Sequence, residues 1–243
     1  MDHRYRPRAY MMEQDMYSQT GVCVPYYPTY AFLRAMKEIA DYSTIDSVYE
    51  DEMNLKGSRF IGITMPCPDE SCIASNLAMV SKKYPNATHY CYAAIFNGSE
   101  RKERNSDNGE PSGTAGKPIQ FVLNSTGMSD IMCIVVRYFG GTLLGTGGLV
   151  HAYTETSKLA CKDLEALNRT ACAVFTFTLD YPYYSAFESK CRDLMAKRPV
   201  CDYYEKVDIR AWIRMGDKEE FIRRIADVSE RHARLNELTP EYI

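Results

Sequence analysis

Between Val135 and Tyr153 the chain reads VVRYFGGTLLGTGGLVHAY, and no other stretch restricts its fold as much. Ile134, Val135 and Val136 are consecutive and β-branched, the pattern of a buried strand, and Arg137 stands near the end of that strand. The chain then runs through Gly140, Gly141, Gly145, Gly147 and Gly148 into an apolar-periodic segment that predicts a helix. Glycine is used where backbone takes positive φ or approaches something closely, and a glycine-rich turn opening a helix presents unpaired N–H groups to an anion. Spacing leaves two readings open. The turn is an anion or phosphate cradle with Arg137 beside it, or its glycines only let a strand, a loop and a helix pack tightly.

A chain of 243 residues has room for one large or two small domains. Its net charge of -3 provides no global basic field, so any nucleic-acid contact would rest on a local patch. Nine cysteines, an odd number, are spread along the chain, and no apolar secretory run opens it; a reducing, cytoplasmic setting is expected. Cys67 and Cys72 form the closest pair, without a second pair or a histidine cluster, so no metal site is expected. No apolar run approaches the roughly 18 residues of a membrane span.

The first 40 residues, rich in tyrosine and without a sustained period, are expected to be poorly ordered. A strand or two precedes Lys56, and Arg59 to Met65 predicts a strand that Pro66 and Pro68 stop. Ile73, Leu77 and Val80 give the apolar face of a helix capped by Asp69 or Ser71 and closed by Lys82, Lys83 and Pro85. Ala87 to Phe96 predicts a strand carrying His89, which reads as a hydrogen-bonded packing residue rather than a base. Asn97 to Asn108 is polar, with charges that nearly cancel, and reads as a solvated loop.

Next comes GEPSGTAGKP, Gly109 to Pro118, the second glycine-rich stretch. It is not a P-loop: Pro111 stands where the first glycine belongs, and Pro118 replaces the magnesium-holding hydroxyl residue. Pro118, Ile119, Val122 and Leu123 predict a short helix, and Asp130 precedes the strand leading to Phe139. Beyond the glycine turn, Leu149, Tyr153, Thr156, Ala160, Leu164 and Leu167 form one helical stripe.

After Asn168 the pattern restarts. Thr170 to Asp180 alternates as a strand; Tyr184, Phe187, Cys191 and Leu194 mark a helix; Val200 to Val207 and Asp208 to Met215 read as strands. Asp217 and Glu220 resemble a capping box for a helix through Phe221, Ile225 and Val228, and a last strand lies within Arg234 to Ile243. The order βαββαβ is that of a ferredoxin-like domain. The division expected is an extension over 1–40, a first domain over 41–168 and a second over 169–243.

No catalytic set is evident: there is no G-x-S-x-G, no H-E-x-x-H and no dinucleotide-binding glycine spacing. Asp107 and Glu110 read as acceptors for backbone N–H groups that shape the turn rather than as a carboxylate pair or metal ligands, and Ser112 and Thr114 as turn formers or contacts to a bound anion. The cations beside the glycine loops, Lys117 and Arg137, suit phosphate as a point charge and a bidentate fork, with an internal Arg137–Glu110 salt bridge as the structural alternative.

The segments Asp107 to Pro118 and Val136 to Gly141, the latter continuing through Leu144 to Leu149, resemble the signature of the IMPACT/YigZ family. Lys56 to Gly62 and Ala87 to Tyr92 add matches, so the likeness spans roughly Tyr42 to Leu167. Asn108 departs from it, standing where many members have a second aspartate. The resemblance implies an α+β chain: an N-terminal domain of the ribosomal-protein-S-five domain-two type, then a ferredoxin-like domain similar to elongation-factor domain V. Eukaryotic members regulate translation under stress by binding an activator of an initiation-factor kinase. The expected function is therefore a non-enzymatic, cytoplasmic translation regulator without a cofactor, binding RNA, the ribosome or a translation factor. The contact zone would comprise Arg59, Gly113, Gly116, Lys117, Arg137 and the glycines at 140, 141, 145, 147 and 148. An enzyme of the small-molecule kinase or phosphohydrolase kind, holding phosphate in the same loops, is the alternative.

Overall fold

The computed structural model describes residues 39–97 and 101–243, so the extension expected over 1–40 lies almost wholly outside the described residues. The chain is a mixed α/β protein built on antiparallel sheets. Its first sheet contains β2 (Tyr49–Leu55), β3 (Ser58–Pro66), β4 (His89–Asn97), β5 (Arg101–Ser106) and β6 (Ile131–Tyr138), in the order β2-β3-β6-β4-β5. The strand that carries Arg137 is therefore central.

Helix α1 (Cys72–Lys83) covers one face of this sheet, while α2 (Gly116–Ser125) and α3 (Gly145–Ala160) cover the other. With apolar layers on both sides, the central strands bury almost every residue. Alternation in β3 consequently sorts side chains between two cores: Phe60 goes to the α3 side, and Ile61, Ile63 and Met65 to the α1 side. Phe60 and Tyr153 are fully buried with their rings edge to face, centroids 5.4 Å apart. Each such side chain contributes about 1.5–3 kcal/mol by leaving water. Gly62 is what lets α3 approach: a Cβ there would lie 2.8 Å from the Ala160 Cβ and from the Thr156 carbonyl oxygen.

The polar segment Asn97 to Asn108, expected as a loop, instead contains β5, paired with β4 from Asn97↔Arg101 to Tyr92↔Ser106. Backbone pairing on a sheet edge tolerates charged side chains that point to solvent, so charge concealed the strand. The helical stripe expected to run to Leu167 ends at Ala160. Leu167–Arg169 is instead β7, which pairs with β1 (Tyr42–Thr44) as a separate two-stranded ribbon.

The second sheet combines β8 (Ala171–Leu179), β9 (Val200–Tyr203), β10 (Val207–Arg214) and β11 (Asn236–Tyr242) in the order β11-β8-β10-β9. Helices α4 (Tyr181–Cys191) and α5 (Lys218–Val228) follow its first and third strands in sequence, and Phe175, Phe177, Phe187 and Phe221 pack in the core they share. The capping box expected at α5 does not form. Asp217 makes no side-chain cap bond and faces Arg214 at 3.5 Å, while Glu220 is drawn to Arg223 and Arg224, three and four residues on, where opposite charges meet on a helix, and so does not reach back to the start of α5. Asn97 Nδ2 donates to the Tyr242 hydroxyl at 3.1 Å, tying the second sheet to the first, and the Ala171 N–H donates at 2.8 Å to Asp41, just before β1.

Candidate functional site

Strand register assembles the site. Arg137 on β6 lies opposite Phe60 on β3 and His89 on β4, so the three share the face beneath α3. Cys91 follows two residues after His89 and occupies the same face. Tyr153 reaches down from α3, and Glu110 enters from the first glycine-rich loop. Arg137 Nη1 meets Glu110 Oε1 at 2.6 Å, with both side chains buried. Tyr153 donates its hydroxyl proton to the same carboxylate at 2.8 Å, and His89 Nε2 stands 3.9 Å from it. Arg137 also reaches Ser58 Oγ at 3.4 Å, and its guanidinium lies over the rings of Phe60 and Phe139. Its Nε is buried without a partner.

A cavity of about 420 Å3 opens above this group. Glu110 and Pro111 from the first loop line it, together with Leu143, Leu144, Gly145 and Thr146 from the second. The two glycine-rich stretches thus face one cleft, and its surface is mainly apolar: Phe139 is 45% exposed and Leu143 85%.

The first loop is organised by Asp107. Its carboxylate accepts backbone N–H bonds from Gly113, Ala115 and Gly116 at 2.8–2.9 Å, at the N-terminus of α2. Burial opposes the charge on Asp107, but those three N–H groups and the nearby Lys117 hold its pKa below the usual carboxylate value. The loop amides read from sequence as open to an anion are therefore occupied by the chain's own carboxylate. Glu110 accepts from side chains rather than from loop amides. Thr114 donates its hydroxyl to the Pro111 carbonyl at 2.6 Å, and Ser112 is exposed. Asn108 adopts a left-handed φ of 44°, which an asparagine tolerates; its carbonyl faces His89 Nδ1 at 2.8 Å, and its side-chain oxygen accepts the Tyr90 N–H.

The thiol of Cys91 lies 2.9 Å from the Asp107 carbonyl oxygen and 3.3 Å from the Tyr153 hydroxyl. Burial pushes this thiol up to about 12, and burial beside Cys91 and Glu110 raises the Tyr153 phenol well above its ordinary value. Neither group is a ready nucleophile near neutral pH. Among the described residues, no three His, Cys, Asp or Glu side chains are grouped so as to hold a metal ion.

Of the residues singled out from sequence, His89, Glu110, Arg137 and Gly145 line the cleft. Arg59 does not: it precedes Phe60, projects from the opposite face of β3 and pairs with Glu52. Lys117 is exposed on α2 and is not among the residues that line the cleft. Gly140 packs on the Gly57–Ser58 turn, where a Cβ would come within 1.9 Å of the Gly57 carbonyl carbon. Gly141 and Gly145 have left-handed φ of 83° and 68°; Gly147 has open space beside it, and Gly148 lies against Leu144. Sequence reasoning missed Phe139, Leu143 and Leu144 as lining residues. Large apolar side chains inside an exposed glycine-rich turn were the available signal.

The Impact N-terminal domain family matches residues 56–161, which contain both glycine-rich loops. The IMPACT family member YigZ of Escherichia coli is 32% identical over 177 residues, covering 72% of this chain and 87% of the relative. The family member YvyE of Bacillus subtilis is 28% identical over 180 residues, covering 74% and 83%. Among solved structures, the crystal structure of a hypothetical protein superposes with a TM-score of 0.59 at 28% identity, covering 82% of this chain and 98% of the other.

Proposed function

The chain belongs to the IMPACT family, and from that premise we propose that it is a non-enzymatic translation regulator that docks a ribosomal or translation-factor surface in the cleft between its glycine-rich loops. The observation that carries this reading is the pairing of a mainly apolar, exposed rim, Phe139 and Leu143, with a floor whose charges are already matched by Arg137 and Glu110. Such a surface suits an apolar side chain of a partner protein better than a bare phosphate backbone, because Arg59 and Arg137 are each engaged by a carboxylate. An enzyme holding phosphate in the same loops draws less support: Asp107 occupies the Gly113, Ala115 and Gly116 amides.

In the same reading, residues 41–168 form the ribosomal-protein-S-five domain-two type and 169–243 the ferredoxin-like domain. The βαββαβ order and the β11-β8-β10-β9 arrangement support the second assignment. No helix among the described residues is long and apolar enough to cross a membrane.

The test is co-sedimentation of the purified full chain with ribosomes, and its retention on immobilised translation factors, comparing wild type with Leu143→Asp. Leu143 is so exposed that the substitution should leave the melting temperature unchanged while weakening association about tenfold or more. Absence of association at low salt removes the reading. Salt-sensitive association indifferent to Leu143→Asp would move the contact to RNA at another surface.

A further inference from the structure

The second sheet carries a cavity unrelated to the cleft. It has a volume of about 640 Å3 and lies between the end of α4, the segment that follows it, and the edge strand β9. Three cations line it: Arg192, Lys197 and Arg198, all exposed. Among the described residues none of them has a carboxylate within salt-bridge distance, whereas Arg210, Arg214, Arg223 and Arg224 of the same half are each held by one. The single lining carboxylate, Glu188, accepts the Tyr184 hydroxyl at 3.0 Å. The Tyr184 oxygen in turn lies 2.9 Å from that of Tyr203. The two rings stand at 78° with centroids 5.7 Å apart, and Tyr203 is 56% exposed.

We infer that this cavity is a nucleotide-binding site, with a base against the Tyr203 ring and its phosphate at Arg192 and Arg198. Two arginines without a carboxylate partner, Arg192 and Arg198, beside a concavity favour an anionic ligand, and the exposed Tyr203 ring, with the half-buried Tyr184 next to it, favours a planar apolar group. A nucleotide joins both in one ligand, and the cavity volume lies within the range of small-ligand sites. An acidic peptide would satisfy the cations but leave the tyrosines unused. The nucleotide unit is either free or part of a single-stranded RNA, the chemistry recognised being the same.

The protein contains its own reporter. Lys197 also lines the cavity and holds its Nζ 3.7 Å from the ring centroid of Trp212, the single tryptophan of the chain, so a ligand that shifts Lys197 alters the emission of one identified residue. The experiment uses the full chain, a fluorescein-labelled oligouridylate read by anisotropy, and uridine monophosphate read both as competitor and by Trp212 emission. Wild type is expected to bind, and the Arg192→Ala/Arg198→Ala variant to bind about tenfold or more weakly, with the slope of log affinity against log salt reduced by about one. Tyr203→Ala is expected to weaken binding about fivefold or more while Tyr203→Phe retains it, which separates ring stacking from the hydroxyl contact. Displacement by the mononucleotide assigns the site to a free nucleotide, and displacement by unlabelled RNA alone assigns it to a strand; both support the inference. Failure of both probes to bind overturns it. So does binding unchanged in the double arginine variant, or binding lost in Leu143→Asp but kept in the arginine variant. Because Leu143 lies in the other cleft, this outcome and the failure of the docking proposal remain distinguishable.

Discussion

Arg137 and Glu110 meet at 2.6 Å with side chains only 6% and 3% exposed, and their sequence positions differ by 27. One comes from a central strand and the other from the loop that leads into α2, so the pair fastens the first glycine-rich stretch to the middle of the sheet. Removing one partner leaves the other buried without a counter-charge.

Arg137→Met should therefore cost about 3–5 kcal/mol in urea denaturation of the full chain, and Arg137→Met/Glu110→Leu should recover a large part of that loss. A loss below about 1 kcal/mol for the single variant would show that the pair is solvated. It follows that lost binding in an Arg137 variant does not by itself identify a ligand contact, which is why Leu143 is the better probe of the cleft.

Asp107→Ala should cost about 2–3 kcal/mol, since three backbone donors lose a charged acceptor. The pH dependence follows in sign from the lowered pKa. A carboxyl whose folded pKa lies below its unfolded value of about 3.9 contributes fully above that value, and the contribution disappears as pH falls through the folded value. Denaturation midpoints measured from about pH 7 to about pH 2 should accordingly fall more steeply below about pH 4 in wild type than in Asp107→Asn.

Gly140→Ala and Gly147→Ala should behave oppositely. At Gly140 the new methyl would lie 1.9 Å from the Gly57 carbonyl carbon and 2.0 Å from its oxygen, backbone that cannot step aside. This variant should lose about 3 kcal/mol or more, or fail to accumulate as folded protein. Gly147 has nothing within 4 Å of the added methyl and sits in the first turn of α3, so alanine should hold or raise the melting temperature. Equal losses at both positions would contradict the packing assigned to Gly140.

Cys91 should remain unmodified when the native protein meets iodoacetamide near about pH 8, because the reactive thiolate is suppressed by burial. Peptide mass spectrometry before and after denaturation reads this directly. Tyr153→Phe should cost about 1–2 kcal/mol by withdrawing the hydroxyl proton donated to Glu110. Modification of native Cys91 at the rate of the unfolded chain would show that the floor of the cleft opens readily.

Local patterns are legible where one physical cause dominates. The β-branched run before Arg137 is β6, and the apolar spacing of Ile119, Val122 and Leu123 is the buried face of α2. At β5 charge on an edge strand resembles a loop, and at the start of α5 Arg214 faces Asp217 while Arg223 and Arg224 hold Glu220, so no capping box forms. For Arg137 the sequence offers two partners, phosphate and Glu110. The choice needed burial, which no spacing reveals.

The sequence by itself determined the family through its two glycine-rich stretches, and most helices and strands through periodicity, because both are properties of neighbouring residues. Tertiary structure alone decided that those stretches share one cleft, that Asp107 fills the loop amides, and that Arg137 is neutralised beneath an apolar rim. The reason is that strand register across β3, β6 and β4, together with the docking of α3 over Gly62, sets which distant side chains meet and how much water remains between them.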